Sequence, residues 1–129
     1  MASLVLATVE RSSESDKLKT DTDGGILKIY TGTSPGPNSA PTGTLLVTFT
    51  LGTGSSANGI VTLGTPSPAQ AVADGLAGYF RIFKANGTTV VCDGDVGVSG
   101  ATLNLNNPQI ANGQTVSITA AALTVPPGA

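Results

Sequence analysis

The stretch from Ala77 to Gly94 constrains the fold most, because it has the composition of a β-hairpin. Two runs rich in aromatic and β-branched residues flank the dipeptide Asn86-Gly87. Asn-Gly supplies the two positive-φ positions of a type I′ turn, so the pattern predicts a hairpin with a two-residue loop. Alternate residues of a strand point to opposite sides, which places Phe80 and Ile82 towards a core. A lone hairpin is marginally stable, so further strands must cover this apolar face.

The other face of the first arm carries Tyr79, Arg81 and Phe83. Aromatic and Arg side chains are enriched where protein surfaces become buried in complexes. These three residues are therefore a candidate patch for binding a protein or a sugar. The alternative is that they pack beneath a loop of their own chain, and the sequence leaves both interpretations open.

The composition predicts an all-β domain. A chain of 129 residues is long enough for one domain with one core. Charged residues make up 11% of the chain, against a usual fraction of about 25%, so Thr, Ser, Asn and Gly must cover the surface. The 17 Gly and 8 Pro favour short strands joined by tight turns over helices.

Alternating apolar residues indicate about eight short strands. In residues 44–51, Leu45, Val47, Phe49 and Leu51 form the inward set, with Leu46 facing outward. Eight short strands in a chain of this size pack best as a two-sheet β-sandwich of Greek-key or jelly-roll type. Besides the two hairpin arms, strands are predicted at 26–30, 44–51, 60–63, 96–98, 101–106 and 115–125, and loops or turns at 34–43, 52–59, 69–76 and 93–95.

The N-terminal residues 1–24 differ from the β-sandwich predicted for residues 25–129. Ser3 to Val9 has strand composition, whereas Arg11 to Gly25 is crowded with polar residues and looks like a solvated connection. Two interpretations stay open: an arm that binds a neighbouring subunit, or a strand within the domain's own sheet. The candidate contact residues of the arm are Leu4, Val5, Leu6 and Val9.

Several kinds of chemistry are disfavoured by the residues that are missing. The chain has no His, which is the commonest general base and zinc ligand, so we expect no enzymatic activity, no cofactor and no metal. Cys92 lies in a strand pattern and is predicted to be a small buried apolar residue. Asp93-Gly94-Asp95 lacks the further oxygen ligands of a calcium site and is interpreted as a turn. The Asn86-Gly87-Thr88 acceptor sequence is likewise interpreted as the hairpin turn.

The net charge and the hydropathy of the chain limit the classes of partner that it can bind. With a net charge of −2 and six Lys and Arg in total, the chain has no basic stripe for phosphates, so nucleic-acid binding is not expected. No apolar run approaches the roughly 20 residues of a membrane span, and Met1 to Glu10 lacks a signal-peptide pattern. We therefore expect synthesis in a cytoplasm, or assembly into a particle there.

Three stretches in order resemble a family of small structural proteins encoded among the head and tail genes of tailed bacteriophages. They are Leu27 to Gly32 with Ala40 to Leu46, Gly78 to Ile82 with its Asn-Gly turn, and Leu103 to Leu105 with Gly113 to Ile118. The resemblance covers about residues 25 to 125. It implies a non-enzymatic virion protein, most specifically a capsid decoration or cement protein that binds the major capsid protein and forms homo-oligomers. A tail, connector or spike component and a carbohydrate-binding module remain alternatives.

Overall fold

The computed structural model describes residues 16–36, 39–57, 60–64, 66–97 and 101–124. Within these ranges the chain is mostly β, as predicted, and residues 16–22 form a short helix, α1. No helix in the described ranges has the length and apolar composition to cross a membrane. The strands are β1 (Ile26–Thr31), β2 (Leu45–Thr50), β3 (Gly52–Ala57), β4 (Ile60–Gly64), β5 (Ala69–Gln70), β6 (Gly75–Phe83), β7 (Val90–Gly97), β8 (Leu103–Leu105), β9 (Gln109–Ile110), β10 (Thr115–Val116) and β11 (Ile118–Thr124).

One large mixed sheet organises these strands. Its order is β2-β1-β6-β7-β8-β11-β4-β3, with β9 paired to β6, and β5 and β10 form a separate two-stranded sheet. The β7–β8 pair is parallel, whereas the neighbours on either side pair antiparallel. The two end strands of the order, β2 and β3, are consecutive in the chain and separated only by the buried Leu51. The sheet therefore curls until its two ends meet.

The core fills the inside of this curl. Phe80 and Ile82 of β6 are fully buried, as the hairpin pattern predicted, and so are Leu27 and Ile29 of β1. Strands near both ends of the sheet contribute side chains to the core, so the core forms because the sheet curls and not within one hairpin alone. The other buried members are Leu46, Val47, Phe49, Leu51, Val61, Leu63, Ala71, Ala77, Leu103, Leu105, Ile110, Val116, Ile118 and Leu123.

A register shift in β1–β2 corrects the predicted pattern of β2. Ile29 pairs with Val47, but the next residue, Tyr30, pairs with Leu45, so Leu46 has no directly opposite residue. An extra residue of this kind breaks the two-residue alternation of a strand. Leu46, predicted to face outward, is fully buried, and Leu45, predicted to face the core, is half-buried.

Two segments predicted as loops contain strands. Residues 52–57 form β3, which pairs antiparallel with β4, and the segment 69–76 includes β5 and the start of β6. Gly and Ser in β3 carry little strand signal of their own, and the backbone of β4 provides the pairing. β3 is also held from its other side, because the Gly54 N–H donates to Asp23 Oδ1 at 2.9 Å.

The Asp93-Gly94-Asp95 sequence, predicted as a turn, lies inside β7. Its register places Gly94 opposite Phe80 and Asp93 opposite Arg81. The Phe80 ring packs where a side chain at residue 94 would project, since a Cβ there would lie 2.4 Å from Phe80 Cε1. Gly94 therefore serves close packing and not chain reversal.

The hairpin is present, but its predicted two-residue loop is wrong. The Lys84 N–H donates to the Thr89 carbonyl at 2.8 Å, so residues 85–88 form a four-residue loop. A turn closes through the Gly87 N–H, which donates to the Lys84 carbonyl at 2.8 Å. Asn86 Oδ1 accepts the backbone N–H groups of Thr88 and Thr89, which favours this longer loop.

Residues 16–24, predicted as part of a solvated connection, pack against the β-domain. Leu18 of α1 contacts the core and Thr22 is buried. Lys17 and Lys19 form i,i+4 ion pairs with Asp21 and Asp23, an arrangement that supports a short helix. Leu4, Val5, Leu6 and Val9 lie outside the described residues, as does Val125.

Candidate functional site

The structure places Tyr79, Arg81 and Phe83 together on one face of β6, but it buries them. Their relative exposures are 2%, 1% and 8%. The interpretation as an exposed patch is therefore wrong, and hydrogen bonds to residues 36–42 show that Tyr79 and Arg81 follow the alternative, packing beneath a loop. The covering loop consists of residues 33–44, of which 37 and 38 lie outside the described residues.

Arg81 fastens the covering loop to the sheet. Its Nε donates to Asp93 Oδ1 at 2.7 Å and its Nη2 to Asp93 Oδ2 at 3.0 Å, which is a bidentate pair across β6 and β7. The guanidinium also donates to two loop carbonyls, that of Ser39 at 2.8 Å and that of Gly36 at 2.9 Å. Ser34 Oγ donates to the same Asp93 carboxylate. A buried charge network with its donors and acceptors satisfied in this way makes one loop arrangement specific.

Tyr79 holds the other end of the covering loop. Its hydroxyl donates to the Thr42 carbonyl at 2.8 Å and accepts from the Thr42 N–H at 3.1 Å. The Tyr79 ring stacks on Tyr30, with centroids 5.2 Å apart and planes 9° apart. Beside them, Lys28 Nζ lies 5.1 Å from the centre of the Phe83 ring, a cation–π contact. We call the four residues Tyr30, Tyr79, Arg81 and Asp93 the loop clamp.

The electrostatics of the clamp suit a structural role. Hydrogen bonding to Asp93 raises the pKa of the Arg81 guanidinium above its ordinary value, so Arg81 stays charged. Burial raises the pKa of the Tyr30 phenol, which therefore stays neutral at physiological pH. The clamp therefore holds the covering loop through a charged guanidinium and a neutral, stacked phenol.

A cleft of about 380 Å³ adjoins the clamp. Hydroxyl-bearing Thr33 and Ser34 line one side, and Tyr79, Asp93 and Asp95 line the other. Hydrogen bonds from Thr102 lower the pKa of Asp95. Ser34 and Asp93 are hydrogen-bonded to each other, so Thr33 and Asp95 are the exposed polar side chains at this cleft.

Among the residues that the structure describes, three large apolar side chains are exposed. Val72 and Leu76 have relative exposures of 62% and 58%, and Ile60 has 45%. The segment from Val72 to Leu76 wraps around Leu46: the Val72 N–H donates to the Leu46 carbonyl, and Gly75 lies against the Leu46 side chain. The sequence signal for this surface is the presence of Val72 and Leu76 in a segment predicted as a loop, where apolar side chains have no strand pattern to bury them. We call Val72 and Leu76 the apolar pair.

Cys92 and the acidic side chains were the other residues considered for chemistry. Cys92 is half-buried and packs against the core, and burial raises the pKa of its thiol to about 12. A thiol with so high a pKa is a poor nucleophile at neutral pH. In the described ranges no group of three or more Cys, Asp or Glu side chains is placed to hold a metal ion.

Comparisons with protein-family models, with curated proteins and with solved structures find no match for this chain.

Proposed function

We propose that this protein is a non-enzymatic structural protein of a tailed-bacteriophage virion, a capsid decoration or cement protein that binds and stabilises the assembled head. Its partners are the major capsid protein or other virion subunits together with sister copies, and it acts in the phage head after synthesis in the host cytoplasm. The sequence resemblance over residues 25 to 125 supports this role.

The observation that carries the proposal is how the chain uses its few reactive side chains. Arg81 and Asp93 pair with each other and hold the covering loop on the curled sheet, and the chain is rich in Thr, Ser and Gly. The apolar pair projects from the protein surface. Rigid, weakly charged surfaces with a few apolar anchors suit a protein that adds contact area between other subunits.

The two-sheet sandwich of Greek-key or jelly-roll type is part of this proposal. β2 pairs with β1 in one half of the curled sheet, whereas β3 pairs with β4 in the other half. The chain passes from one half to the other at Leu51, between β2 and β3. A sandwich in which the two sheets share a corner has this connection.

The mechanism we propose is mass action. A protein that binds only the assembled shell stabilises that state by its differential affinity, and many copies on one lattice strengthen the effect. Neither step requires a catalytic group or a cofactor.

The test is co-sedimentation of the purified protein with expanded shells that lack it, followed by thermal disruption of the shells. We expect the full chain to bind and to raise the disruption temperature, and a chain lacking residues 1–10 to bind more weakly. Val72→Ser with Leu76→Ser should also weaken binding, whereas Ile60→Ser is the matched control. Binding to isolated tails and not to shells would assign the protein to a tail, connector or spike.

A carbohydrate-binding module is the second candidate, and the cleft beside the loop clamp favours it. The Asp95 carboxylate and the Thr33 hydroxyl that line it are groups that hydrogen-bond sugar hydroxyls. Binding of the pure protein to a glycan array, abolished by Asp95→Asn, would support this function. Shell binding with a blank array would exclude it.

A further inference from the structure

The chain contains three Asn-Gly sequences, which begin at residues 58, 86 and 112. Asparagine loses its side-chain amide most readily before glycine, because a residue without a Cβ hinders the attacking backbone nitrogen least. The first Asn-Gly lies outside the described residues. The structure places the other two in turns and gives their side chains different surroundings.

Deamidation is an intramolecular substitution that needs water and no other reactant. The backbone nitrogen of the glycine attacks Cγ of the asparagine, and the new C–N bond closes a succinimide ring. The side-chain nitrogen leaves as ammonia and takes the proton of the glycine N–H. Water then opens the ring to aspartate or isoaspartate. The side chain must turn onto the following nitrogen, so hydrogen bonds that hold it elsewhere slow the reaction.

The two described Asn-Gly turns have similar backbones. Gly87 has φ +76° and Gly113 has φ +84°. The Gly87 N–H donates to the Lys84 carbonyl at 2.8 Å, and the Gly113 N–H donates to the Ala71 carbonyl at 2.9 Å. Both asparagines are exposed. The two attacking nitrogens are thus held alike, and the asparagine side chains decide which site reacts.

The side chain of Asn86 is held at both of its polar atoms. Its Oδ1 accepts the N–H groups of Thr88 and Thr89 at 2.9 and 3.0 Å. Its Nδ2, which would leave as ammonia, donates to Thr89 Oγ1 at 2.9 Å. These three hydrogen bonds must break before Cγ can meet the Gly87 nitrogen.

The side chain of Asn112 has no such hydrogen bonds within the described part of the chain. Its backbone N–H donates to Asp74 Oδ1 at 2.6 Å, which leaves the side-chain amide able to turn. Asn112 can therefore bring Cγ onto the Gly113 nitrogen without losing a side-chain hydrogen bond.

We infer that Asn112 is a site of spontaneous deamidation and that the hairpin loop protects Asn86 from the same reaction. The modification adds a negative charge to one turn of the β-domain and spares the other. It requires no enzyme and is independent of the proposed function.

The reaction at Asn112 alters the surroundings of the apolar pair. The succinimide nitrogen carries no hydrogen, so the bond from Gly113 to the Ala71 carbonyl is lost while the ring persists. The product places a second carboxylate at the residue whose N–H binds Asp74, and like charges repel. Ala71 directly precedes Val72, so deamidation loosens the segment that carries the apolar pair.

The experiment incubates the purified full chain in mildly alkaline buffer, with and without urea. Peptide mapping by tandem mass spectrometry follows the acid formed at each asparagine. In urea the two sites should react at similar rates, because both precede glycine. In the folded protein we expect Asn112 to react about tenfold faster than Asn86, since three side-chain hydrogen bonds protect Asn86. Equal rates in the folded protein, or a faster Asn86, would overturn the inference.

Thr89→Val tests the protection of Asn86 directly, because it removes the acceptor of Nδ2 and keeps the backbone N–H. It should speed deamidation of Asn86 in the folded protein by about twofold to tenfold, the effect of one lost hydrogen bond. Thr88→Val is the matched control, because Thr88 binds Asn86 through its backbone N–H. Equal rates for the two variants would contradict the protection.

Asn112→Asp tests the consequence for the neighbouring segment, because it carries the charge of the product. Amide hydrogen exchange at Ala71, whose N–H donates to the Gln114 carbonyl, should become several-fold faster. Exchange at Lys84, which is bound within the hairpin loop, should stay the same. Unchanged exchange at Ala71 would contradict the loosening.

No viral particle enters these measurements. Failure of Asn112 to deamidate faster than Asn86 therefore rejects this inference and leaves the decoration role standing, whereas failure to bind shells rejects the decoration role alone.

Discussion

At the scale of single residues, the buried charge of Arg81 has a structural role. Arg81 has a relative exposure of 1%. Its guanidinium donates to the Asp93 carboxylate on β7 and to two backbone carbonyls of the covering loop. Burying a charge is costly unless it is paired and hydrogen-bonded, and each of these contacts offsets that cost. The identity of the partner, Asp93, was not readable from the sequence, because it lies on the next strand in a segment predicted as a turn.

We expect Arg81→Ala to lower the free energy of unfolding by about 3–5 kcal/mol, because it leaves the Asp93 carboxylate buried without its partner. Arg81→Lys should recover little, since an ammonium lacks the planar fork that reaches carboxylate and loop together. Urea denaturation measures both. Lys84→Ala is the control: its ion pair with Asp21 is exposed, so the cost is about 0–1 kcal/mol. Equal losses for Arg81→Ala and Lys84→Ala would contradict the clamp.

Gly94→Ala should destabilise the protein by about 1–3 kcal/mol, the usual cost of overpacking. The reason is the Phe80 ring, which lies 2.4 Å from the position of the new Cβ. Gly52→Ala is the matched strand control, because its Cβ would meet nothing within 4 Å. Thermal melting compares the two variants. Gly94→Ala should cost less in a Phe80→Leu background than in the parent, and equal costs in the two backgrounds would argue against this contact.

At the scale of elements, the loop of the β6–β7 hairpin contains a positive-φ glycine, Gly87. Gly87 has φ +76° at the third position of the four-residue loop, and a Cβ there would face open space. Backbone conformation alone therefore decides which residue is tolerated there. Asn86 holds the loop from within through its side-chain carbonyl.

Gly87→Val should cost about 1–2 kcal/mol or more, since a β-branched residue resists positive φ. Gly87→Asn should cost clearly less, because Asn tolerates the left-handed region. Chemical denaturation of the two variants gives the difference directly. A Gly87→Val protein as stable as Gly87→Asn would mean that the loop can rearrange without positive φ.

At the scale of the whole molecule, burial of Cys92 links stability to alkaline pH. Burial raises the pKa of this thiol from 9.0 to about 12. The unfolded chain loses the proton near the ordinary value while the folded protein retains it. The stabilisation is therefore complete below about pH 9 and is lost as the pH rises towards 12.

We expect the free energy of unfolding to fall more steeply between pH 8 and about pH 10 in the parent than in Cys92→Ala, because only the parent carries this thiol. Urea titrations at several pH values measure the two slopes. Cys92→Ala also loses packing at all pH values, so the slope and not the absolute stability is diagnostic. Parallel slopes would show that the thiol is as accessible in the folded state as in the unfolded one.

Local patterns were sufficient for the class of fold and for much of the core. Strand-like patterns identified β1, β4 and the hairpin, with Phe80 and Ile82 inside, because the periodicity of a strand is a property of adjacent residues. The loop predicted at 34–43 contains prolines 35, 37 and 41, which disfavour a central strand. These features need no knowledge of what lies across the sheet.

Only the tertiary structure decided the features that depend on distant partners. Leu46 is buried because a bulge in the pairing with β1 shifts it inward. Gly94 lies within a strand opposite Phe80, and the absence of a side chain there leaves room for the Phe80 ring. Tyr79, Arg81 and Phe83 alternate as a surface patch would, but all three are buried. The covering loop provides the carbonyls that Tyr79 and Arg81 bind. A sequence pattern records which side of a strand a residue takes, whereas the element that packs against that side is set by contacts between residues far apart in the chain.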